Sequence, residues 1–176
     1  MTGSRRRAAA LPAVVVLAAA TGCTVGSHER IPGEICEIPV SKAALAPLIP
    51  EDGKIRQTHH TFTDGSGGDC RLSADRRFVL VMDIVRWDNV VPKNVGGFSK
   101  TVHYAAERPV SFPDYAIVGS NGAQTRTTCT SGKTSMTVEI DFLGDRVENT
   151  PTGYKKLLRF VDEFVPQVTK KFGCTA

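Results

Sequence analysis

Five cysteines, four histidines and one carboxylate inside an apolar run are the residues of this 176-residue chain whose types could do chemistry. The cysteines are Cys23, Cys36, Cys70, Cys129 and Cys174. None stands in a C-x-x-C pair, so disulfide chemistry suits them better than a structural zinc site. An odd number cannot all pair, and one thiol must serve another purpose. The histidines are His28, His59, His60 and His103. His59 and His60 are adjacent, so on a strand they point to opposite faces and cannot hold one metal together. His59 with His103 would form an acid-base pair only if the fold brought them together; otherwise they are surface histidines. Asp83 interrupts the run RFVLVMDIVRW. A carboxylate there is either paired with a cation, open to solvent near Arg86, or buried with a raised pKa that marks a site. Asp83, His59 and His103 are therefore the functional candidates.

Other chemistries find less support. The stretch DGSGGD (residues 64–69) offers carboxylates and carbonyls but lacks the spacing and terminal glutamate of an EF-hand loop, and reads as a hairpin connection. There is no G-x-S-x-G nucleophile elbow, and Ser66 in G-S-G-G is turn chemistry. No catalytic residue is assigned, and no metal or cofactor is implied.

The chain's beginning supplies an address. Residues 1–22, MTGSRRRAAALPAVVVLAAATG, hold three arginines, then an apolar run over residues 8–20, then small residues. That is the layout of a secretory signal peptide, with an h-region too short to span a bilayer comfortably. Ser4-Arg5-Arg6-Arg7 is also similar to a twin-arginine signal; the general secretory route is favoured. The segment carries three of the 22 basic residues and none of the 18 acidic ones, leaving 19 against 18, a net +1. Net charge thus gives no reason to expect a nucleic-acid partner.

Ala20-Thr21-Gly22-Cys23 resembles the lipobox of bacterial lipoproteins, in which the cysteine receives a diacylglyceryl thioether and becomes the mature N-terminus. That use of Cys23 accounts for the odd thiol and implies a membrane partner through the lipid. A diacylglyceryl group supplies the two chains a stable anchor needs, where one chain binds reversibly. Residues 23–33 then read as the lipidated end and a polar tether, and residues 34–176 as a single domain.

The elements that would position the candidates follow from periodicity. VSKAALAPL (residues 40–48) reads as a short helix capped by Ser41 and broken by Pro47. Strands follow at residues 54–62, 70–74 and 77–87, the last two joined by a tight turn at Asp75 and Arg76. In the third, Phe78, Leu80, Met82 and Ile84 share one face while Val79, Val81 and Val85 line the other, which predicts a central strand. Residues 88–113 show no sustained period and read as a long connection with one helical turn at 99–106. Asn121-Gly122 predicts a hairpin with positive φ at both positions. After a turn at Ser131-Gly132-Lys133, the strand TSMTVEIDFL alternates Met136, Val138, Ile140 and Phe142 with polar residues. Residues 152–172 carry one apolar stripe, Tyr154, Leu157, Leu158, Val161, Phe164, Val165, Val168 and Phe172, with Gly173 as the stop and Pro166 as an internal break.

The expected fold is α+β: a single antiparallel sheet of about six strands from two three-strand meanders, with a short N-terminal helix and a long C-terminal amphipathic helix packed on it. Export favours oxidation, and four remaining cysteines allow three connectivities. Cys36 with Cys70 and Cys129 with Cys174 is favoured, because each pair then ties a helical segment to a strand of its own half.

The lipobox at residues 20–23, I-C-E-I-P-V at residues 35–40 and G-D-C-R-L at residues 68–72 together resemble small lipoproteins of actinobacteria. The resemblance implies attachment to the outer face of the cell membrane and a cystine-bound α+β domain, and brings no catalytic residues with it. The function expected is a non-catalytic binding module of the envelope, with a protein or small ligand as partner. The alternative is an envelope hydrolase built on Asp83 with His59 or His103.

Overall fold

The computed structural model describes residues 31–51, 53–61, 66–90, 102–103 and 114–174. The signal segment, Cys23, His28, most of the tether, residues 62–65 and most of the 88–113 connection with its helical turn lie outside the described residues.

The described elements in chain order are β1 (Glu34–Ile35), β2 (Ile38–Pro39), α1 (Lys42–Leu45), β3 (Ile55–Thr61), β4 (Gly67–Ala74), β5 (Arg77–Trp87), β6 (Tyr115–Val118), β7 (Gly122–Thr128), β8 (Ser135–Phe142) and α2 (Pro151–Lys171). Six strands form one antiparallel sheet in the order β3-β4-β5-β8-β7-β6. Two three-strand meanders thus meet through their third strands, and β5 is central, as its doubly apolar sequence predicts. Both helices lie on one face of this sheet, giving the expected α+β fold.

Period two selects the buried face. Leu72 of β4, Leu80, Met82 and Ile84 of β5, and Met136, Val138, Ile140 and Phe142 of β8 are all buried. They meet Leu157, Phe160, Val161, Phe164, Val165 and Val168 of α2 in one core with Leu45 and Leu48 of the α1 region. Burying a side chain of this size stabilises by roughly 1.5–3 kcal/mol, which offsets the cost of ordering a 21-residue helix. Thr150 caps α2 by accepting from the Gly153 N–H at 3.2 Å, and Pro151 occupies the first helical position, where no N–H is needed. Pro166 lies on the exposed side, and Gly173 ends the helix region with φ +66. Ser41 caps α1 by accepting from Ala44 N–H at 3.1 Å, and both its N–H and its hydroxyl donate to the Glu163 carboxylate of α2.

Four details differ from the sequence reading. The alternation of β5 breaks at Val79, which has no partner between the Leu72–Leu80 and Ser73–Phe78 pairs. This bulge buries Val79 and turns Phe78 outward, leaving it 49% exposed. Second, the β4–β5 turn has positive φ at Asp75 (φ 48) and Arg76 (φ 70), whereas Asn121 and Gly122 do not have positive φ. The β6–β7 hairpin closes instead through Gly119 N–H donating to Gly122 O at 2.9 Å, so Ser120 and Asn121 form its tip. Third, Gly67 and Gly68 belong to β4, not to the preceding loop. A Cβ on Gly67 would lie 1.9 Å from the Ile84 carbonyl oxygen, so glycine permits this close strand approach. Finally, residues 34–39 form a small β1–β2 hairpin, turned at Cys36 (φ 50) and Glu37 (φ 62).

Cys36 is bonded to Cys70 and Cys129 to Cys174, with sequence separations of 34 and 45. The first staples the β1–β2 hairpin to β4, and the second staples the chain after α2 to the end of β7. Two such bonds point to an oxidising, extracytoplasmic compartment. Among the described residues no helix is long and apolar enough to cross a membrane.

Candidate functional site

The helices cover only one face of the sheet, so every second residue of β4, β5 and β8 turns to the other side. On that side the register sets Asp69 of β4 directly beside Asp83 of β5, and Asp83 directly beside Glu139 of β8. Asp141 lies two residues along β8, on the same face. Four carboxylates therefore share one band of the open face. Like charges directly opposite each other across a sheet are destabilising, so this arrangement works against folding.

On the β7 side Arg126, paired in register with Thr137, is buried on this same face with its guanidinium 6.0 Å from the Tyr115 ring centroid, and the β3–β4 side supplies two basic partners to Asp69. Arg71 Nε approaches Asp69 Oδ1 at 3.3 Å, and His60 Nδ1 approaches Asp69 Oδ2 at 3.9 Å. Glu139 and Asp141 form no ion pair among the described residues. Partial burial pushes the Glu139 carboxyl above its usual range, and the charges of Asp141 and Asp83 push it the same way. Asp141 is raised by partial burial and then by Asp83.

Apolar side chains bracket the band. At one end the bulge presents Phe78, with the Arg71 guanidinium 5.9 Å from its ring centroid. Phe78 and Leu143, 49% and 59% exposed, flank a cleft of about 480 Å³ that Pro50, Asp75, Arg77 and Asp145 also line. At the other end Trp87 is 39% exposed and donates from Nε1 to Thr137 Oγ1 at 3.0 Å. Val81 and Val85 lie half-buried between them.

The functional candidates of the sequence fall in three places. Asp83 is in the middle of the open face. His59 pairs in register with Cys70, so its side chain turns to the helix side, where Nε2 lies 3.7 Å from Glu37 Oε1. His103 is at the β6–β7 tip: its N–H donates to Asn121 Oδ1 at 2.6 Å, and its carbonyl accepts from Ser120 N–H at 2.8 Å. That tip is two strands beyond β5, roughly 10 Å by strand spacing alone. The structure brings neither histidine to Asp83. It brings Asp69, Glu139 and Asp141 instead, which the single-strand reading missed because the band exists only through pairing between strands. Alternation in TVEIDF does mark Glu139 and Asp141 as sharing a face; their placement beside Asp83 needed the β5–β8 register.

Two of the five basic residues of α2 hold neighbouring segments. Lys156 Nζ holds Glu148 and the Arg146 carbonyl, each at 3.0 Å, and Lys171 Nζ holds Glu37 at 2.9 Å and the Cys36 carbonyl at 3.1 Å. Among the described residues no group of three or more His, Cys, Asp or Glu side chains is arranged to hold a metal ion.

Comparison of the chain with family models, curated proteins and solved structures finds no match.

Proposed function

We propose that this protein is a lipoprotein of the cell envelope, anchored to the membrane by a diacylglyceryl group on Cys23, that acts as a binding module through the open face of its sheet. The observation that carries this reading is the carboxylate band bracketed by Phe78 and Trp87. A surface that sets Asp83 against Asp69 and Glu139 costs folding energy, and that cost is relieved when a cation arrives from outside. Exposed aromatic side chains beside charged groups are the composition of binding hot spots. The partner favoured is a cationic envelope protein or ligand with lysine- or arginine-like groups, seated along the band with apolar contacts at one or both ends. Two disulfides support an extracytoplasmic setting, and the arginine-rich start, apolar run and lipobox support the anchor.

The experiment is retention of the full-length protein on immobilised oligolysine, with oligoglutamate as the control. The expected result is salt-sensitive retention on oligolysine alone, lost in the Asp83→Asn, Glu139→Gln double variant. Equal retention of that variant overturns the reading of the face. Separately, Cys23→Ser should move the protein from the membrane to the soluble fraction; continued membrane association overturns the anchor.

A further inference from the structure

The sheet has an edge at β3, whose backbone has no strand partner on one side among the described residues. Asp75 N–H donates to Lys54 O at 3.2 Å, which fixes the phase of the β3–β4 ladder. Counting along the unbroken register from Ile55–Ala74 to Thr61–Gly68, the backbone groups of Arg56, Thr58 and His60 turn toward β4. Those of Ile55, Gln57, His59 and Thr61 turn away. None of these outward N–H and C=O groups has a backbone partner among the described residues.

Natural proteins usually blunt such an edge with proline, lysine, a bulge or a covering element. β3 has seven residues, IRQTHHT, with no proline, no lysine and no register shift, and six of the seven are exposed. The β1–β2 hairpin touches this strand through the Gln57 side chain, whose Oε1 accepts from Cys36 N–H at 2.7 Å and whose Nε2 donates to Glu34 O at 2.9 Å. It also meets His59 through Glu37 and the Thr58 carbonyl through Cys36 Sγ, and among the described residues the outward main-chain groups of the edge keep no backbone partner.

We infer that β3 pairs with β3 of a second copy of this chain, antiparallel about a two-fold axis at Thr58, joining two six-stranded sheets into one. Centred there, Ile55 meets Thr61 of the other copy and Gln57 meets His59, so the outward groups satisfy one another in about eight backbone hydrogen bonds. The same register fixes where the charged side chains of the edge fall. Arg56, whose side chain makes no ion pair among the described residues of its own chain, comes to lie opposite His60 of the other copy. His60 is beside Asp69, where the carboxylate band begins, so each copy's Arg56 lies two strands from the other's Asp69 with His60 between them. Thr58 meets Thr58, a favourable cross-strand pair. Strand pairing alone buries less than the roughly 1,200 Å² of a stable interface, so the dimer is weak and concentration-dependent. This inference stands apart from the proposed cationic partner, which uses the sheet face and not its edge.

The test is cysteine crosslinking of the full-length chain under mild oxidation. In this register the two Thr58 residues form a non-hydrogen-bonded pair with Cα atoms about 4.5 Å apart, within disulfide reach, whereas the two Arg56 residues are roughly 13 Å apart. Thr58→Cys should give a disulfide-linked dimer on a non-reducing gel, and Arg56→Cys should give none. A Thr58→Cys dimer band no stronger than that of Arg56→Cys overturns the inference. Because a new thiol near Cys36 and Cys70 can disturb native pairing, a second measurement uses no added cysteine. The detergent-solubilised wild-type chain should gain dimer mass by light scattering as its concentration rises, and Thr58→Lys, which sets like charges face to face at the axis, should remain monomeric. Identical behaviour of the two proteins also overturns it.

Discussion

Asp83 has a carboxylate neighbour on each side, Asp69 on β4 and Glu139 on β8, and its charge helps to raise the pKa of Glu139 and of Asp141. The sign of the resulting pH dependence follows from linkage. Glu139 and Asp141 hold protons more tightly in the folded state than in the unfolded one. The stability tied to that difference is present at pH below their ordinary carboxylate range and is lost as pH rises through their raised folded values. Glu37 and Glu148 act oppositely. Glu37 is lowered chiefly by its hydrogen bond with Lys171, and Glu148 by a backbone hydrogen bond and by Lys156; their contribution is present above the ordinary range and lost as pH falls through their lowered values. Asp83→Asn should therefore move the Glu139 and Asp141 titrations toward ordinary values, read by NMR of the side-chain carboxyls, and raise the melting temperature at neutral pH. Unchanged titrations would show that the band is not electrostatically coupled. Asp83 was legible in the sequence as an acid inside an apolar strand. Its two carboxylate neighbours were not, because cross-strand register is a long-range property that one strand's alternation does not encode.

The long C-terminal helix was the most legible element, since its stripe, N-terminal proline and terminal glycine all agree. Phe160 falls outside that stripe as read, yet it is fully buried and stacked on Phe164 with ring centroids 5.1 Å apart. The reason is geometric: α2 packs on the sheet and also meets α1, where Glu163 holds Ser41, so its buried arc is wider than one layer would require. Phe160→Ala should cost about 3–5 kcal/mol, measured by denaturant unfolding, whereas an exposed-face change such as Lys155→Ala should stay within about 0.5 kcal/mol. A loss below about 1 kcal/mol for Phe160→Ala would contradict its place in the core. The β5 bulge and the β1–β2 hairpin were illegible for another reason. Val79 has the same apolar character whether it continues the alternation or breaks it. The Cys36-Glu37 turn carries none of the Gly or Asn signals of positive φ; the disulfide to Cys70 and the Lys171 contacts hold it in place.

At the scale of the whole molecule, each meander contributes a half-sheet and each carries one disulfide. In the chain-entropy model, closing loops of these lengths stabilises by roughly 4 kcal/mol apiece. Replacing Cys129 and Cys174 together with serine should lower stability by about 2–5 kcal/mol, read by urea unfolding of the oxidised variant. A difference below about 1 kcal/mol would remove the bond from the account of stability. Both bonds lie away from the open face, which carries aromatic side chains at its ends and carboxylates between.

The chain has one tryptophan, and Trp87 stands on that face. Its emission therefore reports occupancy of the candidate site directly. Titrating the full-length protein with oligolysine should shift Trp87 emission to saturation at low salt. The shift should diminish as salt is raised and be absent for oligoglutamate and for the Asp83→Asn, Glu139→Gln variant. Trp87 emission that does not respond to oligolysine, or that responds equally in the charge-neutralised variant, would contradict the claim that this face binds a cationic partner.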